Sequence, residues 1–91
     1  MGKPIQTVMT RGVERLGLPP HVLRTLFDKA IAHKDKSPFI SFQPKNGRVE
    51  ITDGNDKILD TVNLHLPEKI WVIFDNYGDY LVATALLPRE Y

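Results

Sequence analysis

The sequence predicts an α+β fold in which two N-terminal helices pack on a five-stranded antiparallel meander sheet. Three observations lead there. Apolar residues recur at three- and four-residue steps before Pro38 and at every second residue after it. Beyond Pro38, clusters rich in Pro, Gly, Asn and Asp recur at short intervals, as successive hairpins require. The chain has 91 residues, 42% of them hydrophobic and 25% charged, which suits one globular domain over 1–91 and leaves no room for a second core.

Each element follows from its residues. Over about 5–16, the residues Ile5, Val8, Met9, Val13 and Leu16 fall on one helical face, with Arg11 and Arg15 on another. Gly17 and Leu18-Pro19-Pro20 end that helix. A second is expected over about 20–34, opened by Pro20 and carrying Val22, Leu23, Leu26, Phe27, Ala30 and Ile31 as its apolar stripe. His33, Lys34 and Lys36 put positive charge at its end, and Ser37-Pro38 turns the chain away. The sheet is expected over about 39–87. Its strands are 39–43, 48–52, 58–64, 70–75 and 80–87, separated by turns at 44–47, 53–56 and 76–79 and by the breaker His65-Leu66-Pro67-Glu68. The fourth strand is apolar on both faces, and in the fifth Ala83 and Ala85 leave space for a helix to approach.

Composition excludes several kinds of chemistry. Without cysteine there are no disulfides, thiolate metal sites or cysteine nucleophiles. No Walker loop, G-x-G-x-x-G, H-E-x-x-H or G-x-S-x-G is present. His21, His33 and His65 lack paired ligand spacing, and Asp53-Gly54-Asn55-Asp56 opens like a calcium loop but lacks the later ligands, so neither metal nor cofactor is expected. The longest apolar run is too short to span a bilayer, the N-terminus has no signal-peptide pattern, and Gln6 stands where myristoylation after Gly2 needs Ser or Thr. The expectation is a cytoplasmic protein with no membrane partner.

Charge is divided along the chain. Residues 1–48 hold nine Lys or Arg against three Asp or Glu, and residues 49–91 hold three against eight. This +6 and −5 division is a footprint for an anionic partner on the basic side, and equally for attraction within the fold or self-association, including a homodimer. Metal-free RNA cleavage needs a base, an acid and cations for the phosphorane. His33 suits the base or acid role, Arg11, Arg15, Lys34 and Lys36 suit contacts to the nucleic acid, and Thr84 or Tyr91 suits a hydrogen-bond donor. Each also has an ordinary structural role: a solvated helix face for the arginines, dipole compensation for His33 and Lys34, a strand position for Thr84.

The order of elements, the Arg-bearing first helix and the strand Leu81-Val82-Ala83-Thr84-Ala85-Leu86-Leu87-Pro88 resemble the barnase, EndoU, colicin-type and RelE-like RNases. The resemblance implies a small metal-independent toxin-type RNase, with Thr84, Arg11, Arg15 and His33 at the active site and Tyr91 in the place of a C-terminal tyrosine. The chain departs from the barnase-like pattern in having no assignable Glu and His pair. The alternative class is a non-enzymatic inhibitor or binding protein, encoded by a phage or mobile element, that contacts a host or phage protein. Trp71, Tyr77 and Tyr80 around the last hairpin are its candidate anchors, although Trp71 is better read as a core residue.

Overall fold

The computed structural model describes residues 3–55 and 57–91. The elements in chain order are β1 (Ile5–Met9), α1 (Arg11–Arg15), α2 (Pro20–His33), β2 (Phe39–Lys45), β3 (Arg48–Thr52), β4 (Ile58–Val62), β5 (Ile70–Asn76), β6 (Leu81–Leu86) and a 3-10 turn at Pro88–Glu90. Asp56 of the expected turn at 53–56, and Gly2, lie outside the described residues.

Two corrections to the expected fold follow. The sheet has six strands in the order β1-β6-β5-β2-β3-β4, and only one substantial helix covers it. Residues Ile5–Met9 form a strand where a helix was expected, paired parallel to β6 in the register Ile5↔Leu81 to Met9↔Ala85. Local preference permits the strand, and pairing with β6 decides it. Ile5, Thr7 and Val8 are β-branched and favour extended backbone, and Thr10 accepts a hydrogen bond from the Val13 amide, which starts α1 at Arg11 and leaves it only five residues long. Apolar residues at 5, 8 and 9 fit a helical step, but Ile5, Thr7 and Met9 fit one face of a strand equally well.

The second correction concerns connectivity. β2, β3 and β4 run as a meander, but β5 returns to pair with β2, not with β4, and β6 then lies on its far side. The segment between β4 and β5 carries Leu66 into the core at 4% exposure, which anchors this return. A strand that is apolar on both faces belongs in the middle of a sheet, and β5 sits there, between β6 and β2. The β2-β3 hairpin closes through Asn46 (φ 49°) and Gly47 (φ 81°), two consecutive left-handed residues of the kind a two-residue hairpin loop needs.

All the helical mass lies on one side of the sheet. Val22, Leu26 and Ala30 of α2 and Val13 of α1 pack into one cluster with Ile40, Phe42, Val49, Ile51, Ile70, Val72, Ala83 and Ala85. The register places these strand residues opposite one another, Phe42 against Ile51 and Ile70, and Val72 against Ile40 and Ala85, so they share a face. Leu26, Phe42 and Val72 are completely buried.

Candidate functional site: the uncovered face of the sheet

On the other face the same register aligns a second set of residues. Thr84 lies beside Val8 and Ile73, Ile73 beside Phe39, and Trp71 beside Leu86 and Ser41. Ser41 and Leu86 are buried there, at 5% and 6% exposure, Phe39, Trp71, Ile73 and Thr84 are half-buried, and Val8 is exposed; none of this set belongs to the core cluster that the helices cover. Phe39 and Trp71 meet edge-on with ring centroids 4.8 Å apart, and Tyr91 stands edge-on to Trp71 at 5.8 Å while remaining 82% exposed. The charged residues toward β3 on this face are mutually engaged: Glu50 lies 3.5 Å from Lys45 and 3.9 Å from Arg48. Arg89, beyond β6, is paired with Glu68 at 2.7 Å.

The sequence-derived site residues divide between the two sides. Thr84 and Tyr91 belong to the uncovered face. His33 closes α2 on the opposite side, where its Nε2 lies 3.2 Å from Asp60 of β4 and its Nδ1 lies 3.4 Å from the Lys36 ammonium. An ammonium only donates, so Nδ1 accepts from Lys36 and Nε2–H donates to Asp60, which fixes the tautomer. Lys29 also reaches Asp60, at 3.1 Å. The Lys29 hydrogen bond first, then that of His33 and the Thr61 amide, bring the Asp60 carboxyl down from 3.8 to about 2. With its side chain only 11% exposed, His33 works in a strap that ties α2 to the edge strand. Lys34 pairs with Asp35 at 3.1 Å. Arg11 and Arg15 are exposed on α1 and join no ion pair among the described residues. The structure thus brings His33 and Lys36 together, and Tyr91 to the face of Thr84, but it does not bring His33 to Thr84.

Among the described residues, Pro20, His21 and Arg24 line one shallow depression, and Ser37, Phe39, Asp53, Gly54 and Asn55 line another. None of the expected catalytic residues lines either. Among the described residues no three His, Asp or Glu side chains converge as metal ligands, and no helix is long and apolar enough to cross a membrane.

Sequence reasoning passed over Phe39, Ile73, Asp60 and Glu90. For Phe39 and Ile73 a signal existed, since strands apolar on both faces announce two surfaces, and both helices pack against the same one. For Asp60 and Glu90, whose partners are distant in sequence, no local signal existed. Comparison with protein-family models, curated proteins and solved structures finds no match to this chain.

Proposed function

We propose that this chain is a non-enzymatic protein-binding module whose docking surface is the uncovered face of its sheet. One observation supports this above the others: a half-buried aromatic and β-branched layer built around Trp71, Phe39 and Ile73 stands on the face of the sheet opposite the helices and apart from the cluster they cover. Contiguous apolar surface of this kind, anchored by Trp and Tyr, is the chemistry of a protein interface. Nucleic acid is the weaker fit. A base-stacking platform works beside cations that follow the phosphate backbone, and here Lys45, Arg48 and Arg89 are each engaged by a carboxylate, which among the described residues leaves Lys69 without one.

The RNase reading retains one supporting contact, the imidazole of His33 oriented by Asp60. Against it, the nitrogen that would act as base already accepts from Lys36, and Thr84 lies across the sheet.

The test uses the purified chain in two assays. Recovery of a protein bound in stoichiometric amount, from the host cell or as a second copy of the chain, abolished by Ile73→Glu in a variant that keeps its circular dichroism and retained by Arg11→Glu/Arg15→Glu, is the expected result. Cleavage of total RNA in the presence of a chelator, leaving 2′,3′-cyclic phosphate ends and lost in a folded His33→Ala variant, would overturn the binding reading in favour of the nuclease.

A further inference from the structure

β5 crosses the middle of the uncovered face, and its alternation presents Trp71, Ile73 and Asp75 there, with Lys69 one step earlier, just before the strand. The pattern reads cation, apolar, apolar, anion. Lys69 and Asp75 are both exposed, and neither takes part in an ion pair among the described residues. They stand roughly 20 Å apart along the strand, too far to satisfy each other within one chain.

Such a strand is complementary to itself when reversed. We infer that the uncovered face docks on the same face of a second copy, with β5 antiparallel across β5 of its partner, so that Lys69 meets Asp75 at both ends and Trp71 meets Ile73 in the middle. This rests on the binding reading above and names the partner. The two-fold axis that does this lies between the sheets, perpendicular to the strands, and passes level with Val72. That axis sets each strand over its own copy, so the apolar region from β1 to β2 covers itself, and the polar face of β3 lies over polar surface. The opposite choice, an axis along the strands, would place Lys69 over Lys69 and Asp75 over Asp75. Two sheets packed this way stand about 10 Å apart with their strands within about 30°, and the helices remain outside, giving four layers.

Area sets the strength. Four strands spaced about 4.8 Å apart and about 17 Å long give a face of roughly 330 Å² in projection, interrupted by the polar Gln6, Ser41 and Thr84 and below the roughly 800 Å² per partner of a standard stable interface. The dimer is therefore concentration-dependent and in rapid exchange, with dissociation in the micromolar range or weaker.

The experiment is sedimentation equilibrium of the full chain from micromolar to millimolar concentration. Lys69→Glu and Asp75→Lys are each expected to weaken the dimer about tenfold, and the double variant Lys69→Glu/Asp75→Lys to restore it to within about threefold, because the swapped charges again meet across the axis. The absence of cysteine allows an independent readout: a short bis-maleimide should link chains carrying Ile73→Cys but not chains carrying Asp28→Cys on the exposed side of α2. A monomer throughout this range, or a dimer indifferent to both single reversals, overturns the inference. If a monomeric chain still captures a different protein through Ile73, the binding reading stands and only self-docking fails.

Discussion

Thr10 and Glu90, 80 residues apart in sequence, share a hydrogen bond of 2.6 Å in which the Thr10 hydroxyl donates to Glu90 Oε1. The same hydroxyl accepts from the Val13 amide, while the Glu90 carboxylate also accepts from the Gly12 amide at 3.0 Å and the Leu87 amide at 2.8 Å. One carboxylate thus fastens the start of α1 to the segment after β6. The Thr10 hydrogen bond above all holds the Glu90 carboxyl below its ordinary range.

Removing this clasp should loosen β1. Thr10→Val loses the helix cap, at a cost of about 1 kcal/mol on the scale of N-cap replacements, and releases the clasp with it. Glu90→Gln turns an amide donor toward amide donors, so its melting temperature should fall, with that of Glu90→Ala falling further. Hydrogen exchange should quicken at Thr7 and Met9 before it does in β5. An unchanged exchange rate at β1 in Glu90→Ala would show that the clasp carries no stability.

The strap at Asp60 makes a pH prediction. Its folded-state pKa is depressed to about 2 from 3.8, so the contribution is fully present above about pH 4 and is lost as pH falls toward 2. The side chain is a third exposed, so solvent screening reduces the raw shift to a contribution of about 1 kcal/mol. Urea unfolding of the wild type and of Asp60→Asn should differ by this amount at pH 6 and converge near pH 2. Parallel curves across the range would contradict it.

Gly54 has φ +87°, and a Cβ placed there would lie 2.8 Å from the Phe39 ring. Gly54→Ala should therefore cost about 1 to 3 kcal/mol through strain and displacement of the ring. Phe39 touches Trp71, the protein's one tryptophan, so the emission spectrum should shift as well. A stable variant with wild-type fluorescence would refute the contact.

Leu26 is completely buried between α2 and the sheet. Leu26→Ala should cost about 3 kcal/mol, read by chemical denaturation, because the cavity it leaves lies under a helix held by few other buried residues.

The legible and illegible parts of the fold divide along sequence distance. α2 was readable because Val22, Leu26 and Ala30 repeat at the helical period and Pro20 and Pro38 bracket them. The β2-β3 hairpin was readable from Pro44-Lys45-Asn46-Gly47, although Pro44 and Lys45 belong to β2 and only Asn46 and Gly47 form the loop. β1 was not, since a short apolar segment satisfies both periods and the partner that decides between them, β6, lies at the other end of the chain. The return of β5 to β2 depends in the same way on distant residues. At the candidate site, the division of His33 and Thr84 between two faces follows from the strand register, which no local pattern encodes.

The parallel pairing of β1 with β6 also orders assembly in time. β1 is synthesised before the other strands, and β6, the one strand it pairs with among the described residues, after them. Until β6 and Glu90 have left the ribosome, Ile5–Met9 has neither a ladder nor a clasp, although α2 and the β2-β3-β4 meander can already form from local contacts. The segment of the sheet that is made first is therefore the one that folds last.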